Sequence, residues 1–431
     1  MFRALAIVVV ALTACATPAA GPPVSSTARA TGASSPTIAA PVRASPTAQP
    51  TPVPSNSTAT RLGITHLAAI DRFTAAVAAS NASGPTLLVT VDAGVSWEPR
   101  ALPAGSQFVD DIRFASRGAG WMIASMPVGA TGGCTGIPLP GCDAVLFRTT
   151  DLGRSWTRVT SEPFVRHAIA SGLGHLVAVD GTHAWATTSH GCTDPDCITD
   201  IGGTTDGRNW TILGSLPSRV ISLDFIDADR GWATTFSIPS GSVDRTATAR
   251  LYATRDGGRS WSAQFHATGI TPQLAVEFVD PLHGWMLGND VGSSCSMGGC
   301  SDYSLYASDD GGDNWDRVQA PPERGLARWW LPPVESSGAG FLHGLTFATP
   351  IDGWISVSTG AGPAIGGILH TRDGGHSWTR FDADNTWSVQ AAGAVPDGVW
   401  ALVGVYGDPR SPAIYRSTDG LRWDRVLEGS P

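Results

Sequence analysis

The sequence predicts an all-β fold, a single seven-bladed β-propeller of four-stranded blades with tight polar turns. Three observations predict it: an eight-residue word that recurs seven times, a second word that precedes it in most copies, and a turn-rich composition. The chain has 431 residues, with 51 Gly, 31 Pro and 16 Trp. Such punctuation suits many short strands joined by turns and leaves little room for helices.

The first word reads TVDAGVSW (90–97), TTDLGRSW (149–156), TTDGRNW (204–210), TRDGGRSW (254–261), SDDGGDNW (308–315), TRDGGHSW (371–378) and STDGLRW (417–423). The third and seventh copies are one residue short. Successive tryptophans lie 59, 54, 51, 54, 63 and 45 residues apart, a period typical of repeat architectures. The second word places Phe seven residues before the Trp of a Gly-Trp pair: FASRGAGW (114–121), FIDADRGW (225–232), FVDPLHGW (278–285) and FATPIDGW (347–354). Weaker versions end at Trp185 and Trp400, and the first unit, AAIDRFTAAVAAS, keeps only the apolar pattern. Each unit then reads as four strands. Strand A ends near the Phe and strand B opens at the Gly-Trp. Strand C is the apolar run before the octet, and strand D begins at the octet Trp. Seven such units fill residues 61–431 as one ring. The last unit carries its own strand D, so closure needs no exchanged strand.

Before the ring come two further segments. Residues 1–14 read as a signal peptide: a basic start at Arg3, then ALAIVVVALT, an apolar run too short to span a bilayer. LTAC follows and resembles the lipobox of bacterial lipoproteins, which implies acylation of Cys15. Residues 15–60 are rich in Pro, Ser, Thr and Ala, too poor in large apolar side chains to offset chain entropy, and read as a disordered tether. The expectation is an exported protein, lipid-anchored at the bacterial surface or envelope.

Charge and residue usage exclude several function classes. The net charge is −9, so no nucleic-acid partner is expected. All 28 basic residues are arginine, which excludes a Schiff-base lysine and a lysine-bearing phosphate loop. Six cysteines beyond Cys15 fall in local pairs, Cys134/Cys142, Cys192/Cys197 and Cys295/Cys300. In an exported chain their proximity predicts three disulfides, and the spacings do not suit zinc. CTDPDCITD carries Asp194, Asp196 and Asp200 at a spacing that suits calcium, but it lacks the Gly and Glu of a helix-loop-helix calcium site and reads as a solvated turn. No metal or cofactor is expected.

The octets resemble the Asp-box, or bacterial neuraminidase repeat, Ser/Thr-x-Asp-x-Gly-x-x-Trp. The resemblance implies that Asp92, Asp151, Asp206, Asp256, Asp310, Asp373 and Asp419 are structural turn residues, not seven active sites. In a propeller the B–C and D–A connections share one face, so that face should carry every long insertion, including all three cysteine pairs. There the D–A segment 319–343 contains Arg328, Trp329 and Trp330, which belong to neither repeat and are candidate binding residues. Asp224, Glu277 and Arg113 each precede a strand-A Phe and are predicted to line the central channel. Asp224 and Glu277 are the candidate acids of a glycoside hydrolase, with Arg113 as a binding residue.

Two enzyme families share the Asp-box. Sialidases add an Arg-Ile-Pro motif that is absent here, and xyloglucan-active hydrolases usually pair two propellers where this chain has length for one. The combined Phe…Gly-Trp and octet unit is similar to the photosystem II stability/assembly factor family, which implies a non-catalytic scaffold that binds a protein. Sortilin-like receptor propellers share the octet and also bind. Two functions therefore stand at this point: a scaffold for an envelope protein or glycan, or a sialidase- or xyloglucanase-like hydrolase.

Overall fold

The computed structural model describes residues 62–127, 142–160, 173–190, 197–237, 248–268, 275–289, 303–318, 341–358, 367–381, 387–405 and 408–429. All lie in one compact unit, Ser57–Pro431. Their twenty-eight strands form seven four-stranded antiparallel sheets, each made of four consecutive strands, and the described residues contain no helix. The chain is a seven-bladed β-propeller. The innermost strands A are β1 (Gly63–Ala69), β5 (Phe108–Ser116), β9 (Leu173–Ala178), β13 (Arg219–Phe225), β17 (Ala275–Phe278), β21 (Phe341–Phe347) and β25 (Trp387–Val395). Strand D starts one residue after the octet Trp, as in β16 (Ser262–Thr268), not on it. Blade 7 ends in its own strand, β28 (Asp424–Leu427), so the ring closes by packing without strand exchange.

Blade 4 shows why the two words recur. Its strands β13 and β14 (Gly231–Ser237) pair with Phe225 opposite Gly231 and Asp224 opposite Trp232. A Cβ on Gly231 would lie 2.5 Å from the Phe225 ring, so the glycine before Trp is there to let that ring lie flat. The same holds for Gly120, Gly284 and Gly353 against Phe114, Phe278 and Phe347. Strand B lies between neighbouring blades. It therefore reads as a run of small and apolar residues buried on both faces, as in GWATT.

The octet is a turn held by its own side chains. Thr254 Oγ1 donates to Asp256 Oδ1 at 2.8 Å and accepts from the amide of Gly258. Ser260 donates to Asp256 twice, from its amide at 2.9 Å and its hydroxyl at 2.5 Å. These two Ser260 bonds hold the half-buried Asp256 carboxyl down at about 2. Gly257 and Gly258 both take positive φ, 72° and 93°. The Gly257 amide donates to Asp229 O of the A–B turn, which locks the two turns of the blade together.

The words meet at the joints between blades. Trp185 of blade 3 stacks on Phe225 of blade 4, with centroids 3.7 Å apart and planes 3° apart, and Trp261 meets Phe225 in a T-shaped contact at 6.0 Å. The Trp185 indole donates to Gly257 O in the octet of blade 4. Trp232, Phe278 and Trp315 repeat this at the next joint, with the indole on Gly311 O; Trp285, Phe347 and Trp378 repeat it again, on Gly374 O.

Three joints are built differently. Blades 3, 7 and 1 carry Ala178, Ala394 and Ala69 near the end of strand A, where other blades have Phe. The tryptophans facing them, Trp121, Trp354 and Trp400, are covered from their own blade by Arg148, His370 and Arg416. These three lie directly opposite the Trp on strand C, where the three Trp-Phe joints have Gly203, Ala253 and Ala307. Blades 3 and 7 also carry the two short octets, and the indoles that face them, Trp121 and Trp354, have no hydrogen-bond partner among the described residues. At the closing joint Trp400 instead donates to Asp71 O, and Trp97 of blade 1 donates to Val426 O of blade 7.

The glycine-ring contact sets a stability prediction. Gly284→Ala puts a methyl 2.4 Å from the Phe278 ring and should cost about 1–3 kcal/mol in urea unfolding. Gly118→Ala, whose nearest neighbour is 4.0 Å away, should change stability by less than about 0.5 kcal/mol. Equal costs at the two positions would contradict this reading of the word.

Candidate functional site

The seven strands A enclose a channel of roughly 670 Å³. Asp224, Glu277 and Arg113 all line it, as their common register predicts. Their side chains share the sheet face of the strand-B Trp opposite them and point to the next blade.

There they clip one blade to the next. Asp224 Oδ2 accepts from the Phe278 amide of blade 5 at 2.7 Å. Glu277 Oε1 accepts from the Phe347 amide of blade 6 at 3.1 Å and from Thr346 Oγ1 at 3.2 Å. Thr346 Oγ1 accepts in turn from the Ala394 amide of blade 7. In blade 2 the work is divided. Asp111 Oδ2 accepts from the Leu176 amide of blade 3, and Arg113 Nε donates to Leu176 O. Thr346 and Asp111 were not singled out from sequence. Thr346 stands one residue before a strand-A Phe, the register that carried the other three.

Among the described residues, neither channel acid has a cation beside it. Arg113 pairs with Asp111 at 3.5 Å. Asp224 and Glu277 are half-buried: they line the channel and are otherwise surrounded by protein. Burial pushes the Asp224 carboxyl up to about 6, against the pull of the Phe278 and Phe225 amides. Burial also pushes Glu277 well above the usual range, and the nearby Asp224 charge adds to it.

The other predicted residues distribute as follows. The octet Asp residues each sit in a turn on the face opposite the insertions, bonded to their own octet. Asp200 is not in a solvated turn. It is buried in β11 (Ile198–Thr204), accepts from Ser215 Oγ at 2.6 Å and lies 3.1 Å from His190 Nε2. No cluster of three or more metal-ligating side chains occurs among the described residues. Cys142 opens β7 (Cys142–Thr149) and Cys197 immediately precedes β11. Cys15, Cys134, Cys192, Cys295, Cys300, Asp194, Asp196, Arg328, Trp329 and Trp330 lie outside the described residues. Between 62 and 429, every segment outside the described residues joins strand B to C or strand D to the next A. All A–B and C–D turns are described.

No family model matches the chain. A probable oligoxyloglucan-reducing end-specific xyloglucanase from Neosartorya fischeri is 26% identical over 188 residues, which is 41% of this chain and 19% of that protein. The chain thus spans about a fifth of the length of the curated relative it matches. Among solved structures, YCF48 bound to D1 peptide aligns with a TM-score of 0.50 at 19% identity, covering 81% of this chain and 92% of that one. The GH74 xyloglucanase from Xanthomonas campestris aligns with a TM-score of 0.53 at 14% identity, covering 87% of this chain and 56% of that one. At these identities the structural likeness defines the fold, a β-propeller of seven blades.

The channel acids make a pH prediction. A carboxyl raised in the fold holds its proton longer than in the unfolded chain. Its contribution is complete below the unfolded value near 3.9 and is lost as pH rises through about 6 for Asp224. Asp224→Asn keeps an acceptor for the Phe278 amide and cannot ionise. Relative to wild type it should therefore gain on the order of 2 kcal/mol between pH 4 and pH 7, measured by urea unfolding at both. A pH-independent difference would show that the carboxyl is not held in the enclosed site described.

Proposed function

We propose that the chain is an exported lipoprotein whose Asp-box propeller is a non-catalytic scaffold for an envelope or extracellular protein. Cys15 carries the lipid and 15–60 is the tether. The partner docks on the B–C/D–A face through Arg328, Trp329 and Trp330, rimmed by the disulfides Cys134/Cys142, Cys192/Cys197 and Cys295/Cys300. A glycan is the second class of ligand for this face.

The observation that carries the reading is how the channel carboxyls are used. Each holds a backbone amide of the following blade, which is a structural task. The turn face is likewise made of short turns whose octet acids are spent on their own backbone. Variation is concentrated in the connections of the other face, where a rigid scaffold leaves room for recognition. YCF48, similar in fold, is described in complex with a peptide, which agrees with a protein ligand.

A specific observation favours the hydrolase as second reading. Glu277 is pushed toward the protonated form that a general acid needs, Asp224 is near enough to affect it, and a curated relative is a probable xyloglucanase.

One experiment separates the two. The full chain is offered sialosides, xyloglucan and other β-glucans, and candidate envelope proteins, with retention and product release followed by mass spectrometry. The scaffold predicts no product, and protein capture that falls at least tenfold in Trp329→Ala/Trp330→Ala. Product that disappears in Glu277→Gln or Asp224→Asn establishes the hydrolase and overturns the scaffold.

A further inference from the structure

We propose that the central channel is itself a binding site, for a small zwitterion whose ammonium or guanidinium group sits on Asp224 and Glu277 and whose carboxylate sits on Arg113. This site is separate from the loop-rich face and does not depend on the reading given to that face.

The cavity has the size of a small-molecule site, roughly 670 Å³. Its charges are divided between opposite walls. Glu277 is in blade 5 and Arg113 in blade 2, three steps apart in a ring of seven, and Asp224 is in blade 4 beside Glu277. Apolar side chains, among them Leu67, Leu223 and Leu345, line the walls between and suit a methylene spacer.

Among the described residues the acids lack a counter-ion. Every ion pair among the described residues lies elsewhere, so neither Asp224 nor Glu277 has an Arg or His partner there. Enclosed carboxyls are normally paired, because an isolated charge in such a site is costly. The upward shifts of both acids are the behaviour of a pair awaiting a cation. Glu277 uses Oε1 for both of its bonds. Oε2 has no partner among the described residues and is not sealed from solvent.

Arg113 is placed to take the other end. Nε and Nη1 are fixed by Leu176 O and Ile112 O, and Asp111 lies 3.5 Å from Nη1. Nη2 has no partner among the described residues, and the side chain is half exposed. The guanidinium is held through Nε and Nη1, and its side chain lines the channel with Nη2 left for a ligand. A ligand with one charge satisfies one wall; a zwitterion satisfies both.

Calorimetric titration of the full chain with the ω-amino acids from aminobutyrate to aminooctanoate tests this, with hexylamine and hexanoate as single-charge probes. At least one amino acid should bind saturably, at least tenfold tighter than either single-charge probe. Affinity should fall about tenfold or more in Glu277→Gln and in Arg113→Gln. Glu277→Gln retains an acceptor for the Phe347 amide, and unchanged melting temperatures keep lost binding distinct from lost folding. If either variant melts early, Asp224→Asn replaces it in the comparison. Absence of saturable binding by any of the amino acids, equal affinity for hexylamine, or binding untouched by the variants overturns the proposal.

Discussion

The structure depends on one contact, the tryptophan of one blade lying flat on the phenylalanine of the next. A four-stranded sheet of this size cannot bury both of its faces alone. Each face must be covered by a neighbour, and at three joints the stacked Trp and Phe, closed by the octet Trp, provide that cover. The contact also explains the residues around it. Glycine stands opposite Phe because any side chain would strike the ring. The octet turn must present a carbonyl at a fixed place because the neighbouring indole needs an acceptor. The small residue on strand C opposite Trp leaves the ring free to face the next blade.

Where the next blade has no Phe, the same physics selects a different set. Arg148, His370 and Arg416 supply a planar group from the Trp's own blade, opposite the ring on strand C. Two of these joints face the short octets, and there the indole has no hydrogen bond to any described residue. Three of the four changes (lost Phe, gained planar cover, shortened turn, unbonded indole) can be read in sequence once the joint is known. Together they divide the ring into an arc of blades 3 to 6, joined by Trp-Phe stacks, and an arc of blades 7, 1 and 2 joined by other means.

Most of the architecture was legible because both words are local. Phe, Gly and Trp fall on one hairpin, and an octet closes its turn with its own side chains, so residue spacing reports the geometry directly. Strand D begins one residue later than the spacing predicts, because the Trp belongs to the turn and its ring leaves the sheet for the joint. The channel was legible in part. Register placed Asp224, Glu277 and Arg113 on its wall, but their partners Phe278, Phe347 and Leu176 come from the following blade and follow from ring closure, not from spacing. Asp200 misled for the opposite reason: an acidic run beside a cysteine pair looks like a loop, yet this Asp faces Ser215 and His190 within a sheet. The cysteine pairs and the Arg-Trp-Trp segment break the repeat, and a broken repeat marks where to look without stating what is bound.

The central claim is that Trp-Phe stacking couples neighbouring blades energetically. A double-mutant cycle on Trp232 and Phe278, read by urea unfolding, tests it most directly, because the rings lie 3.5 Å apart with no other element between them. The account predicts a coupling energy of about 0.5–1.5 kcal/mol beyond the two single losses. Additive losses, with no coupling, would contradict it and leave the joint as two independent buried side chains.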